Sequence, residues 1–183
     1  VFASDLELSE EELKFSKDLN LLTLKPQIYV LNVDEEYLSK KSEQKLPKGL
    51  EDAIVICAKL EAELADFDKN ERESYLKELG IEHSGLDKLI KKGYEILGLN
   101  TFFTAGPKEV RAWTIKKGSK APQAAGEIHT DFERGFISAE IINYETLVEI
   151  GSLKTAKEKG LIRLEGKDYV MQDGDVAVFR FSV

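Results

Sequence analysis

Residues 100–115 read NTFFTAGPKEVRAWTI, and this stretch decides the fold of the second half of the chain. Two runs rich in aromatic and branched residues flank Gly106-Pro107, a turn pair. The pattern predicts a strand, a turn and a second strand. Side chains alternate along a strand, so Arg111, Trp113 and Ile115 share one face and Val110, Ala112 and Thr114 the other. Further on, APQAAGEI (121–128) predicts a short helix with Pro122 in its first turn. GFISAEII (135–142) predicts a strand. YETLVEIGSLKTAKEKGLI predicts two helical pieces broken near Gly151, and KDYVMQDGDVAVFRFSV a hairpin around Asp173-Gly174.

Two strands, a helix and further strands are the order of a β-grasp, or ubiquitin-like, fold. The residues before it follow a different plan. Ser9 with Glu12 is a capping-box pattern, and Leu13, Ser16, Leu19 and Leu22 extend it into a predicted helix over 9–22, ended by Lys25-Pro26. QIYVLNV (27–33) and EDAIVICA (51–58) are short apolar runs typical of buried strands. LSKKSEQKLPKG between them predicts a surface helix or loop. Residues 59–81 are helical in pattern, and Ser84 caps a last helix carrying Leu86, Leu89, Ile90, Tyr94 and Leu97 on one face. This is an α/β layer with a parallel strand pair, and two strands do not complete such a sheet.

Composition sets outer bounds. The 183 residues are 42% hydrophobic and 33% charged, as in a globular protein. No apolar run approaches the ~20 residues needed to cross a bilayer, and the acidic opening VFASDLELSEEE is unlike a signal peptide, so no membrane partner is expected. Cys57 is the only cysteine, which excludes an internal disulfide and favours a reducing compartment. One Cys with two His, His83 and His129, argues against a structural zinc site. The chain starts at Val1 and its only methionine is Met171, which suggests a piece of a longer protein or a processed one. Residues 1–99 hold 14 basic and 22 acidic residues, whereas 100–183 hold 12 of each. The overall acidity therefore says nothing against an RNA partner for the second half.

The two predicted strands end in words that matter chemically. In open α/β sheets, ligands bind outside the carboxyl ends of the strands. The first run ends in Asn32 followed by Val33, Asp34 and Glu35 (NVDE), and the second in Cys57-Ala58 within CAKLE, closing at Glu61. GTPases hold guanine at those two rims with NKxD and SAK elements. An Asp carboxylate accepts from N1–H and the 2-amino group of guanine, donors that adenine lacks, while an Asn amide matches the N7 acceptor and N6 donor of adenine. Keeping Asn32 while Val33 and Glu35 replace the Lys and the Asp therefore weakens the case for guanine. The plainer alternative is that Asn32 starts a turn before a helix capped by Asp34. A base reader normally works beside a phosphate loop, yet the sequence contains neither GxxxxGK[ST] nor GxGxxG.

NTFFTAG, EVRAWTI, AGEIHTDFERGFISAEI and DYVMQDGDVAVFRF closely resemble the TGS domain that ends the YchF (Obg-like) ATPases, and the resemblance extends over essentially the whole chain. NVDE is similar to that family's NxxE element, and CAKLE to its SAxxE element with Cys57 in place of Ser. The resemblance implies three parts. Residues 1–24 are the end of a helical insertion, 25–99 the C-terminal part of a P-loop-NTPase-type α/β nucleotide-binding domain, and 100–183 a β-grasp TGS domain. It implies a cytoplasmic, ribosome-associated ATP hydrolase that prefers ATP to GTP and uses Mg2+, with the phosphate grip and the metal site outside this chain. This chain alone is expected to be inactive and to carry no catalytic residue, no metal ligand and no bound cofactor. By resemblance Asn32 pairs with the adenine edge, Val33 packs near the ring, Glu35 closes the motif, and Cys57 and Ala58 offer backbone groups to the base. Ribosome or ribosomal RNA is the implied macromolecular partner, and DNA is not expected.

Other residues invite functional readings. Arg111, Lys116, Lys117 and Lys120, with Trp113, would form a basic, partly aromatic surface for RNA; the plainer alternative is a solvated loop with a core Trp. His129, Asp131 and Glu133 in EIHTDFE lie close in sequence, but no nucleophile accompanies them, and a turn-bonding role is the better reading. Cys57 at the end of a buried strand reads as a small inert hydrophobe. Two further functional classes compete with the ATPase. One is a TGS-type module that binds RNA, ribosome or protein without nucleotide chemistry. The other is a regulatory β-grasp like those of threonyl-tRNA synthetases and SpoT-type stringent-response enzymes. The NVDE and CAKLE rims favour the ATPase, since a pure interaction module needs no base-reading rim.

Overall fold

A computed structural model describes residue 3 and residues 6–39, 46–106 and 109–182. The chain is α/β and divides into two compact units, Val1–Leu97 and Gly98–Val183.

The first unit opens with α1 (Glu10–Ser16). Ser9 and Glu12 exchange hydrogen bonds with each other's backbone N–H, closing the capping box. The helix ends well before residue 22. Single 3-10 turns follow at Lys17–Leu19 and Leu22–Leu24, parted by Asn20 in the left-handed region at φ 48, a conformation Asn tolerates better than most residues. Strands β1 (Val30–Asn32) and β2 (Ile54–Ile56) pair in parallel, with Val30 opposite Ile54 and Asn32 opposite Ile56. Both are shorter than the apolar runs that predicted them. Helix α2 (Glu35–Ser39) starts from Asp34, whose carboxylate accepts from Tyr37 N–H at 2.8 Å. Residues 40–45 of the predicted surface helix or loop lie outside the described residues.

The helical run over 59–81 is two helices, α3 (Ala58–Ala65) and α4 (Lys69–Glu78). The break is chemical. Asp68 accepts from Asn70 and Glu71 N–H, and the Glu71 carboxylate takes the Asp68 N–H, so a second capping box starts a new helix inside the run. Cys57, Leu60, Leu64 and Leu76 form the small core of this unit. Ser84 caps α5 (Gly85–Ile96), and the apolar residues Leu86, Ile90, Tyr94 and Leu97 of that helical stretch are exposed.

In the second unit, β3 (Leu99–Ala105) and β4 (Val110–Lys116) form the hairpin, Phe102 facing Trp113; Pro107 of the predicted turn lies outside the described residues. Helix α6 (Ala121–Ile128), the one-turn α7 (Thr130–Arg134), β5 (Phe136–Asn143), α8 (Tyr144–Ile150), α9 (Leu153–Glu158), β6 (Arg163–Glu165) and β7 (Asp175–Phe181) follow. The sheet runs β4-β3-β7-β5-β6, with β3 and β7 parallel and the other neighbours antiparallel. Ala121, Ala124 and Ala125 of α6 are fully buried. Their small side chains let the helix lie close on Phe102, Ile115, Phe136, Ala139, Ile141 and Ala177. Helices α8 and α9 cover a second cluster around Ile142, Ala156 and Val176.

The hairpin predicted around Asp173-Gly174 does not form. Strand β7 pairs with β5 and β3, and the residues before the turn reach elsewhere, Val170 bridging Lys120. The Asp-Gly pair is spent on a long-range contact instead. The Asp173 carboxylate accepts from Thr101 N–H at 2.7 Å, Gly174 N–H donates to Thr101 O at 2.8 Å, and Gly174 takes φ 82. Just beyond, the buried Asp175 carboxylate accepts from the Tyr169 hydroxyl and the Gln172 N–H, both at 2.8 Å, with the Arg163 guanidinium 3.8 Å away.

Two outcomes follow. Residues 98–183 expressed alone should melt in one cooperative transition, and Asp175→Ala should lower their urea-unfolding stability by about 1–3 kcal/mol for the donors it orphans. The Tyr169 hydroxyl is pushed up from 10.0 to about 12, first by burial and then by its bond to Asp175. The fold thus favours the neutral phenol. The stability this gives is complete below pH 10 and is lost as pH climbs from 10 through about 12. Denaturation of wild type and Tyr169→Phe across that window should show the shallower decline in the variant.

Candidate functional site

The two strand ends meet. Asn32 closes β1 and Ala58 opens α3 just after β2, and the Asn32 Oδ1 accepts from Ala58 N–H at 3.0 Å. Val33 N–H donates to Ile56 O at 2.8 Å, so the chain leaves both strands along one rim. Of the five residues assigned to this rim by sequence, Asn32, Val33, Cys57 and Ala58 are brought together by these bonds. Glu35 is one helical residue further on, in the first turn of α2. Asp34 is the cap, as the plainer reading of the stretch has it.

These bonds define what the rim has to offer. The Ala58 N–H is engaged by Asn32 and the Cys57 carbonyl by Glu61 N–H. The Asn32 amide keeps its Nδ2 donors and one lone pair on Oδ1, since a carbonyl oxygen accepts twice. A donor beside an acceptor is the pattern that matches N7 and N6 of adenine. The Cys57 side chain is 2% exposed, makes no capping hydrogen bond and packs among Leu60, Leu64 and Leu76. The thiol is thus part of the core.

Glu61, the last letter of CAKLE, has a structural role. Its Oε1 accepts from Gly85 N–H at 2.6 Å, tying α3 to the first turn of α5. A Cβ on Gly85 would lie 2.6 Å from Ile56 Cγ2, so the glycine allows α5 to approach β2. Beyond the Ser84 cap, no local pattern announces this pair, because the two residues are 24 positions apart.

The basic residues of the second unit are differently placed. Arg111 lies over the Trp113 ring, 4.2 Å from its centroid, a contact worth about 0.5–1 kcal/mol at an exposed site. Lys116 and Lys117 are exposed. Lys120 is bonded at 2.7 Å to Asp168, whose carboxyl it holds below the usual range, first by that hydrogen bond and then by charge. His129 Nδ1 accepts from Asp131 N–H at 3.2 Å and caps α7, the turn-bonding role. Among the described residues, no group of three or more His, Cys, Asp or Glu side chains is placed to hold a metal ion, and no helix is long and apolar enough to cross a membrane. The Asn32 amide thus has the donor and the acceptor that a purine edge would need.

Comparison with known proteins adds sequence and structural kinship. The family model YchF-GTPase_C, described as a protein of unknown function (DUF933), matches residues 99–182. A Bacillus subtilis (strain 168) protein named ribosome-binding ATPase YchF is 52% identical over 99% of this chain and 52% of its own length. The protein of that name from Escherichia coli O157:H7 is 47% identical over 97% of this chain and 50% of its own. The structure of the Schizosaccharomyces pombe YchF GTPase superposes with a TM-score of 0.80 at 36% identity, covering 97% of this chain and 49% of that one. This chain spans about half the length of the curated relatives it matches.

Replacing Glu61 by Ala should free the Gly85 amide. Hydrogen exchange should then quicken at the first turn of α5 and leave residues 98–183 unchanged, a pattern readable by mass spectrometry.

Proposed function

This chain belongs to the YchF (Obg-like) ATPase family and corresponds to its C-terminal region, and on that premise we propose that it supplies the base-recognition rim and the TGS domain of a ribosome-associated ATPase that prefers ATP to GTP and acts in the cytoplasm. The observation that carries this reading is the meeting of Asn32 and Ala58, 26 residues apart, at the carboxyl ends of a parallel strand pair. In this reading residues 25–99 complete a P-loop-type nucleotide-binding domain and residues 1–24 lead into it. Residues 100–183 are a β-grasp TGS domain, an assignment supported by the mixed sheet β4-β3-β7-β5-β6 packed under α6.

The division of labour follows from chemistry. Asn32 Nδ2 donates to the N7 of adenine while the free lone pair of Oδ1 accepts from an N–H of the 6-amino group. Ala58 N–H holds Asn32 in that orientation, so the amide meets the base already oriented. Val33 packs beside the ring, the Cys57–Ala58 turn forms its other edge, and Glu35, in place of an Asp, carries its carboxylate past the donors of guanine. ATP and magnesium supply the phosphate chemistry when bound to the whole protein. Positioning phosphates and metal is most of that catalysis, and this sequence has no phosphate loop. Arg111, Lys116 and Lys117, with Lys120 through its share of the Asp168 pair, are the proposed contacts to ribosomal RNA.

The test is an affinity series for ATP, GTP and ITP in a full-length family protein carrying this region. Asn32→Ala should weaken ATP binding by about 1–3 kcal/mol, roughly tenfold or more, and disturb ITP, which lacks the 6-amino group, much less. Equal losses for all three nucleotides would leave Asn32 a strut for the Ala58 turn. The 183-residue chain by itself should show no multiple-turnover ATP hydrolysis in a sample of verified mass.

A further inference from the structure

Trp113 is the only tryptophan in the chain, and it is held on three sides. The Phe102 ring is stacked near it at 6.5 Å and 16°. Its Nε1 donates to Thr104 Oγ1 at 3.0 Å, which fixes the plane of the indole. The Arg111 guanidinium covers it at 4.2 Å. Beside it lies an open concavity of about 430 Å3, lined by Thr104, Glu109, Ile128, Phe132 and Phe179 along with the indole. That volume is in the range of small-ligand sites.

Of the four arginines of this unit, two are paired with carboxylates. Arg163 and Arg180 have carboxylate partners in Glu165, Asp175 and Glu140. Among the described residues, Arg111 has no carboxylate within 4.0 Å and rests on the indole instead. A flat cation therefore occupies a flat hydrophobic seat, exposed and without a countercharge. A group that fills such a place needs a planar π-face for the indole and a negative charge for the displaced guanidinium. A nucleotide has both. An exposed cation–π contact is weaker than a base stacked on an indole, so exchange of one for the other is favourable. Glu109 repels a phosphate within the concavity, whereas Arg111, which is not among its lining residues, offers a cation beside the indole.

We propose that the Arg111–Trp113 pair is a stacking site for an unpaired base of single-stranded RNA, with Arg111 turning outward to the adjoining phosphate. The proposal rests on the ribosomal RNA reading above and gives it an atomic contact. The base must be unpaired because only an unstacked one can lay its face on the ring.

The emission of Trp113 reports this site alone. The 183-residue chain should be titrated with hexaadenylate, AMP and a duplex RNA of equal length, with free tryptophan amide as the control for absorbance. Saturable quenching by hexaadenylate, with AMP and the duplex much weaker, is the expected result. Arg111→Ala, checked by melting, should weaken it about tenfold. Trp113→Phe, read by anisotropy of labelled hexaadenylate, should also bind more weakly. Unchanged emission, quenching indifferent to Arg111→Ala, or equal quenching by AMP or duplex would each overturn the proposal. Ribosome co-sedimentation of the same chain separates it from the reading it rests on. Sedimentation with silent emission defeats the stacking site alone, and quenching without sedimentation defeats the ribosomal reading alone.

Discussion

Strand β7 holds the second unit together, and one buried carboxylate fixes where it begins. Asp175 lies at its first position, where the Gln172 N–H and the Tyr169 hydroxyl meet the side chain, while Asp173 and Gly174 dock on Thr101 of β3. The strand is thus clamped just before it enters the gap between β3 and β5. Its register follows from that clamp, with Val176 level with Phe103 on one side and Ile142 on the other. A slip of one residue would turn Ala177, which packs under α6, to the opposite face and carry Val176 out of the cluster under α8 and α9. Both layers of helices depend on the same register.

The first unit has a smaller counterpart. Two three-residue strands offer little pairing of their own. What fixes their ends is side-chain hydrogen bonding across the rim, Asn32 to Ala58 and Glu61 to Gly85. The residues that make NVDE and CAKLE look like a base-reading pair thus also hold the local fold. On the proposed reading, function and stability are coupled at Asn32, because the amide that would meet the base also accepts from the Ala58 N–H.

Local chemistry made much of this legible. The alternation in NTFFTAGPKEVRAWTI named the hairpin, Pro122 marked the start of α6, Gly151 parted α8 from α9, and Ser9 with Glu12 announced α1. Each depends on residues close in sequence. The misread elements are those where a distant partner took over a local pattern. Asp173-Gly174 has the composition of a hairpin turn, but its hydrogen bonds go to Thr101. The run 59–81 has helical spacing throughout, yet the Asp68–Glu71 box divides it, a pattern present in the sequence and outweighed by periodicity. At the rim, residue types pointed to Asn32, Cys57 and Ala58 and to a buried thiol, but not to the bond that joins Asn32 to Ala58 across 26 positions. The contact between Arg111 and Trp113 follows from strand alternation, whereas the lack of a carboxylate partner for Arg111 among the described residues does not.

The place of β7 also has a consequence for the order of events during synthesis. Its neighbours β3 and β5 emerge from the ribosome first, yet no sheet joins them until the chain has been made through Phe181. Until then each waits with one edge open, a template for pairing with any other nascent chain. A premature stop anywhere between β6 and β7 would leave that condition permanent. Such a product would keep the hairpin, the helices and β6 on β5, and still have no closed sheet, which makes it a substrate for chaperones and proteases rather than a shortened working domain.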